Sequence, residues 1–151
     1  MAQLLETLWL ENILLKKPGQ GFEDLFTDLA KHHWGEDFEL WKPQGRLGDF
    51  KCDGYQVSTR TVFQCHGPEQ PKPTTTASKI QRDFDGAKKH FDNRMEKWVF
   101  VYNQRELPAV SGKLIGDLRE QKPDCLTSAA ASSRANLVRV FCCTAKGSLV
   151  L

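Results

Sequence analysis

The chain has 151 residues, of which 40% are hydrophobic and 26% are charged, and its formal net charge is +2. This length corresponds to about one domain, and the apolar content excludes a largely disordered chain. A net charge this small gives no argument for nucleic-acid binding by itself. No apolar run is long enough to span a membrane, and residues 1–15 lack the basic start and cleavage site of a secretory signal. Five cysteines without a CxxC pair favour a reducing compartment, so we expect a cytoplasmic protein with no membrane partner.

Apolar periodicity predicts the first elements in chain order. A helix over 2–17 ends at Pro18, because proline cannot continue the helical hydrogen bonds. A second helix over 22–33 carries apolar residues at i, i+3, i+4 and i+7. Short strands are predicted next, near 38–40, over 47–55 and over 60–66.

The second half of the chain begins with a predicted loop over 67–77, which contains three prolines and three threonines. Ser78 and Gln81 have the spacing of a capping box, which predicts that a helix starts there and ends near Asp92. A buried strand over 98–102 and a helix over 110–118 follow. This order of helices and strands predicts an α/β fold with one central sheet.

The predicted domain covers residues 1–124, and residues 125–151 form an atypical C-terminal tail. The tail has no acidic residue and holds three of the five cysteines. Two interpretations remain open for it: one further strand over 137–143, or sequence that is foreign to the domain.

The most informative residues are Asp53-Gly54 and, ten residues later, Gln64-Cys65-His66. Side chains alternate between the two faces of a strand, so Gln64 and His66 share one face with Val62, while Cys65 points to the other. If the two strands are neighbours, a carboxylate, an amide oxygen and an imidazole converge at the sheet surface. Hard cations such as Mg²⁺ take oxygen ligands of this kind, and they assist phosphodiester hydrolysis.

This pattern resembles the signature of the PD-(D/E)XK nuclease superfamily, and it is most similar to the Mrr-type restriction endonuclease domains of prokaryotic defence systems. The helix start at 21–25, with Glu23, is similar to the acidic helix of that branch, and the resemblance covers about 21–103. It implies a restriction-endonuclease-like central mixed sheet flanked by helices and a DNA endonuclease that uses Mg²⁺ or Mn²⁺. It also implies that Asp53, Gln64 and Glu23 hold the metal, and that His66 orients or deprotonates the attacking water.

The family's lysine position is occupied by His66, whose imidazole does not carry a permanent positive charge. An alternative is therefore a catalytically degenerate nuclease fold that binds nucleic acid or protein. A third hypothesis is a protein-interaction domain whose motif resemblance is accidental.

Each site residue also has a structural interpretation. Asp53 supports the Asp-Gly turn, Gln64 makes a cross-strand hydrogen bond, His66 is a satisfied strand-end histidine, and Glu23 interacts with the helix dipole. A zinc site that uses Cys52 and Cys65 is disfavoured, because the usual ligand spacing is absent.

DNA is the partner that the resemblance implies. The basic residues that we expect to contact phosphates are Lys72, Arg82, Lys88 and Lys89. The alternative for them is a solvated helix face. Other partners left open are a second copy of the chain and a subunit or domain that supplies sequence recognition.

Overall fold

The structure, a computed structural model, describes residues 9, 12, 13, 16–41, 52–104, 106–121 and 131–132. The helix predicted over 2–17 lies largely outside these residues, and the described positions 9, 12, 13 and 16 are helical. Within the described segments, no helix has both the length and the apolar character needed to cross a bilayer.

A mixed β-sheet forms the centre of the described chain. Its strands are β1 (Phe38–Glu39), β2 (Gly54–Gln56), β3 (Thr61–His66), β4 (Lys97–Tyr102) and the two-residue β5 (Ala131–Ser132). They lie side by side in chain order. The β1–β2 and β2–β3 pairs are antiparallel, whereas β3 and β4 are parallel and in register along their whole length, with His66 opposite Tyr102. The short β5 is parallel to β4.

Helices cover both faces of this sheet. They are α1 (Gln20–Trp34), α2 (Pro73–Phe91) and α3 (Ala109–Gln121). The apolar stripe of α1 packs on one face together with Phe63 and Cys65, while α2 and α3 pack on the other face together with Val62. The predicted alternation of side chains along β3 is therefore confirmed, as is the mixed α/β architecture.

The predicted start of the long helix was wrong. α2 begins at Pro73, so residues 73–77 are helical and not part of the loop predicted over 67–77. Proline suits this position for two reasons. The N–H groups of the first helical turn have no acceptor within the helix, so no hydrogen bond is lost, and the ring of proline already fixes φ at a helical value. Lys72 precedes it in an extended conformation, and its carbonyl accepts from Thr76 N at 2.9 Å. Ser78 and Gln81 therefore lie inside the helix and do not form its N-terminal cap.

The strand predicted over 47–55 is seen only at its end. Cys52 and Asp53 precede β2 and are not part of it, and residues 42–51 lie outside the described residues. The tail strand predicted over 137–143 also lies outside them. The other predicted elements agree with the structure to within a few residues, because their apolar spacing reports directly which side chains are buried.

Candidate functional site

Asp53 lies in the segment that leads into β2, beside the middle of β3. Its backbone N–H donates to the carbonyl oxygen of Phe63 at 2.8 Å, which fixes this segment against β3. Its carboxylate oxygen Oδ2 accepts from Gln64 Nε2 at 2.7 Å and from the backbone N–H of Cys65 at 2.5 Å. The Asp53 carboxylate is thus hydrogen-bonded to β3. The structural interpretation from the sequence, in which Asp53 only supports the Asp-Gly turn, did not include this role.

Gly54 has a packing reason to follow Asp53. A Cβ atom at this position would lie 2.2 Å from Cζ of Phe38, closer than two carbon atoms can approach. The Phe38 ring itself packs against Phe26 and Phe63 under the sheet. The Asp-Gly sequence therefore combines a buried aromatic contact with a carboxylate held on β3.

Gln64 is buried, with only 3% of its surface exposed. Its Nε2 faces Asp53, whereas its Oε1 is buried and accepts no hydrogen bond. A buried carbonyl oxygen without a donor costs free energy. The same atom is a ligand that hard cations prefer. The structure therefore brings Asp53 and Gln64 together and leaves the amide oxygen open to a further partner.

His66 ends β3, and its ring stacks on Tyr102 with centroids 5.8 Å apart and planes inclined by 15°. Its Nε2 is buried and has no hydrogen-bond partner. Burial and the positive charge of Lys79, opposed by the charge of Asp83, lower the pKa of His66 to about 4. The imidazole is therefore neutral near pH 7. With a pKa this low it is a weak base at that pH, and it does not supply a positive charge.

Glu23 lies in the first turn of α1, on the face of the sheet that carries the Cys65 side chain. Burial raises the pKa of the Cys65 thiol well above its usual range, and the negative charges of Asp53 and Glu23 add to this effect. Because both carboxylates act on one thiol, they approach the sheet in the same region. Gln64 points to the opposite face, so Glu23 and the Gln64 amide lie on different sides of β3.

Two hard oxygen donors come together here, the carboxylate of Asp53 and the amide of Gln64, whereas Glu23 approaches from the opposite face of the sheet. In the described residues, no three histidine, cysteine, aspartate or glutamate side chains come together as a complete metal site. Mg²⁺ does not need a full protein cage, because it keeps several waters and takes substrate phosphate oxygens as ligands. Asp53 and Gln64 fit such a cation as a partial set of ligands, and Glu23 does not join them from its side of the sheet.

Zinc does not fit this region. Cys52 packs with the α2 side of the sheet and Cys65 with the α1 side, so the two thiols belong to different apolar layers. The Cys52 thiol also donates to the carbonyl oxygen of Gly54 at 3.1 Å. A tetrahedral thiolate site needs these sulfur atoms on one side.

Sequence reasoning missed an ion pair on α2. Lys79 Nζ lies 2.5 Å from Asp83 Oδ2, and the two side chains are 22% and 1% exposed. Asp83 lies beside Ile80 and Phe84, on the stripe of α2 that packs against the sheet. In the sequence, an aspartate at this spacing interrupts an apolar stripe, but the spacing alone does not show that the carboxylate is buried.

The basic residues expected to contact phosphates lie on or just before α2. Lys72 precedes the helix and is exposed, and Lys88 is half-buried. Arg82 and Lys89 are exposed and seven residues apart, which places them on one helix face away from the buried stripe. This arrangement agrees with both interpretations, a phosphate-binding surface and a solvated face.

An open cleft with a volume of about 690 Å³ lies at the carboxyl end of β4. Pro71 and Pro73 line it from the start of α2, and Gln104 and Pro108 line it from the segment after β4. Tyr102, the ring on which His66 stacks, also lines it. Asp53, Gln64 and His66 are not among the residues that line it.

No protein-family model, no curated protein sequence and no solved structure matches this chain.

Proposed function

We propose that this chain is a metal-dependent DNA endonuclease with a restriction-endonuclease-like fold, acting as an effector module in prokaryotic defence against foreign DNA. The observation that carries the proposal is the contact between Asp53 and Gln64, together with the buried and unpartnered Oε1 of that glutamine. The resemblance of Asp53-Gly54 and Gln64-Cys65-His66 to the nuclease signature supplies the type of reaction.

Asp53 and Gln64 Oε1 would hold Mg²⁺ or Mn²⁺, with waters and a phosphate oxygen completing its coordination. The expected third ligand, Glu23, lies on the other face of the sheet and would not bind the same ion. When bound, such a cation polarises a phosphodiester and lowers the pKa of an attached water. The β3 backbone supports the site, because the N–H of Cys65 fixes the Asp53 carboxylate.

His66 would orient the attacking water through its neutral Nε2, since its low pKa makes it a weak base at neutral pH. Stacking on Tyr102 fixes the plane of the imidazole. The basic residues of α2 would contact backbone phosphates farther along the DNA without reading its sequence. Sequence recognition would then come from a second copy of the chain or from another domain.

The proposal is tested by incubating supercoiled plasmid DNA with the protein in Mg²⁺ or Mn²⁺. Asp53→Asn is the informative variant, because asparagine keeps an oxygen that accepts from β3 but removes the charge. Asp117→Asn, an exposed position on α3, is the matched control. We expect cutting by the wild type and by the Asp117 variant, and at least a hundredfold loss in the Asp53 variant. Equal cutting by all three, or no cutting by the wild type, would contradict the proposal.

A second candidate is a catalytically inactive nuclease fold that retains DNA. The neutral His66 at the position of the family's lysine favours it, because the permanent charge is missing there. DNA binding without cutting in either metal would support this candidate over the first.

A further inference from the structure

The cleft at the carboxyl end of β4 is bordered by the starts of two helices. Pro73 is the first residue of α2, Ala109 is the first residue of α3, and both line the cleft. Gln104 Nε2 donates to the carbonyl oxygen of Pro68 at 3.2 Å, which joins the segment after β4 to the segment before α2. The volume of about 690 Å³ lies within the range of about 300–1,000 Å³ that is usual for small-molecule sites.

The buried layer between α2, α3 and β4 changes from apolar to hydroxyl side chains at the end next to this cleft. On α2, Thr76 lies one turn before Ile80 on the buried stripe. On α3, Ser111 lies one turn before Ile115 on the buried stripe. Tyr102 ends β4 in the same layer and lines the cleft. Each of the three elements therefore places a hydroxyl group at this end of the layer.

These three hydroxyl groups are buried without hydrogen bonds. Thr76 and Ser111 are 0% exposed and Tyr102 is 2% exposed. None of the three oxygen atoms has a hydrogen-bond partner among the described residues. Burial raises the pKa of the Tyr102 phenol, and the Thr76 hydroxyl opposes part of this rise, so these two groups are neighbours. A buried hydroxyl without a partner costs free energy, and a ligand oxygen that bonds to it would remove that cost.

The charges around the cleft favour a ligand with one negative charge. The N–H groups of a first helical turn have no acceptor within the helix, and they attract anions. Neither α2 nor α3 has an acidic residue in its first turn, and Lys72 is exposed directly before α2. Among the lining residues, only Glu106 carries a carboxylate, and it is exposed. Its charge disfavours a doubly charged phosphate more than a singly charged carboxylate.

The other walls of the cleft are apolar, since Pro71, Leu107 and Pro108 line it. We propose that the cleft binds a small organic carboxylate, whose charged group contacts the Tyr102 hydroxyl and the helix starts while its apolar body packs on Leu107 and the prolines. Asp53 and Gln64 do not line the cleft, so the proposal does not depend on the proposed nuclease function.

Sodium benzoate is a suitable probe, because it combines one carboxylate with an apolar ring. The full chain is titrated with it at constant ionic strength, and the amide chemical shifts are followed by NMR. We expect saturable shifts at Gln104, Ala109 and the first turn of α2, with a dissociation constant on the order of 1 mM for so small a ligand. Benzyl alcohol, which lacks the charge, and inorganic phosphate, which lacks the ring, should each bind about tenfold more weakly.

Tyr102→Phe tests the hydroxyl contact, because it removes only one oxygen atom. The variant should fold, since that hydroxyl makes no hydrogen bond, and it should bind benzoate about tenfold more weakly than the wild type. Tyr55→Phe is the matched control. The Tyr55 hydroxyl donates to the carbonyl oxygen of Arg94 at 2.7 Å, and neither residue lines the cleft, so the benzoate affinity should not change.

A second pair of variants, Ala109→Asp and Ala109→Asn, differs only in charge at the start of α3. The aspartate variant should bind benzoate about fivefold more weakly than the asparagine variant. It should be at least as stable, because a negative charge suits the first turn of a helix, so the weaker binding does not come from unfolding.

The proposal would be overturned if benzoate caused no saturable shift in the wild type, or saturable shifts only at residues away from the cleft. Equal benzoate affinities of the wild type and Tyr102→Phe would also overturn it. Phosphate that binds as tightly as benzoate would overturn the assignment of an organic carboxylate as the ligand.

Discussion

Asp53 Oδ2 and Gln64 Nε2 lie 2.7 Å apart, although eleven residues of sequence separate the two side chains. The antiparallel pairing of β2 with β3 places Asp53 beside β3, and the N–H of Cys65 holds the same carboxylate oxygen. Gln64 is thus oriented by its nitrogen, and its buried oxygen lacks a donor. The glutamine has a structural role toward Asp53 and a free ligand atom at the same time.

A second carboxylate at this place should make the protein depend on a cation. Gln64→Glu puts a negative charge against Asp53, and like charges at this distance oppose each other. In EDTA we expect the free energy of unfolding to fall by about 1–3 kcal/mol. Mn²⁺ should restore it, because a ligand that binds only the folded state stabilises that state. Thermal denaturation with and without Mn²⁺ measures both effects.

The matched control is Gln56→Glu, since Gln56 Nε2 donates to Asp37 Oδ2 at 2.9 Å in a similar pair. No cation is proposed there, so Mn²⁺ should leave that variant unchanged. An equal response of the two variants to Mn²⁺ would contradict the assignment of Gln64 as a ligand.

Replacing only one residue of the Lys79–Asp83 ion pair should lower the free energy of unfolding. Lys79→Met removes the closer cationic partner of a buried carboxylate and leaves Arg82 Nε 3.6 Å from Asp83 Oδ1. We therefore expect a loss of up to about 3–5 kcal/mol in the free energy of unfolding. Adding Asp83→Asn should return most of this loss. Urea unfolding of the two single variants and the double variant gives the coupling between the residues.

An exposed pair provides the comparison. Arg60 and Glu96 lie 3.4 Å apart with side chains 54% and 60% exposed. Glu96→Gln should change the free energy of unfolding by less than about 1 kcal/mol. A loss in the Lys79 variant as small as this would show that the Asp83 carboxylate does not depend on Lys79 as its partner.

The pKa of His66 predicts how stability depends on pH. The unfolded chain binds a proton on this imidazole near pH 6.5, whereas the folded chain binds it only near pH 4. Between these values the unfolded state holds more protons, so stability falls as the pH decreases from 6.5 toward 4. Allowing for partial solvent exposure, we expect a loss on the order of 1–2 kcal/mol.

His66→Phe isolates this effect, because it keeps a ring against Tyr102 and removes the titration. Burial also lowers the pKa values of His33 and His90. These two histidines are present in the wild type and in the His66 variant, so they contribute the same pH dependence of stability to each. Urea unfolding at several pH values should show a shallower decline in the variant. Parallel curves for the two proteins would exclude His66 as the source.

Gly54 should not tolerate a side chain. Gly54→Ala brings Cβ against the Phe38 ring, and overpacking of this kind costs about 1–3 kcal/mol. Phe38→Leu in the same chain makes room, so the double variant should lose less than the sum of the two single changes. Strict additivity in thermal denaturation would mean that the two residues do not touch.

The helices and strands around the site could be predicted where buried apolar side chains repeat at the spacing of a strand or of a helix. The residues from Val62 to Cys65 alternate between two apolar layers, and the residues of α1 repeat at helical spacing, so sequence alone placed Gln64 and Cys65 on opposite faces. The start of α2 could not be found in this way. Pro73 and the threonines after it are typical of loops, yet a proline in the first helical turn costs no hydrogen bond.

The ion pair and the direction of the Gln64 amide were beyond sequence reasoning for a different reason. Asp83 has the charge of a surface residue, and only the packing of α2 on the sheet shows that it is buried. The Gln64 Nε2 contact depends on where the segment before β2 crosses β3, which no local pattern encodes. Both features arise from contacts between distant parts of the chain.

Crystals soaked in Mn²⁺ test the central claim most directly, because anomalous scattering locates the ion independently of the protein atoms. We expect an ion about 2.1 Å from a carboxylate oxygen of Asp53, with Gln64 Oε1 among its ligands. Crystals of Asp53→Asn should show no ion there. A fully soaked wild-type crystal without an ion at Asp53, or with Gln64 Oε1 left unliganded beside it, would contradict the account.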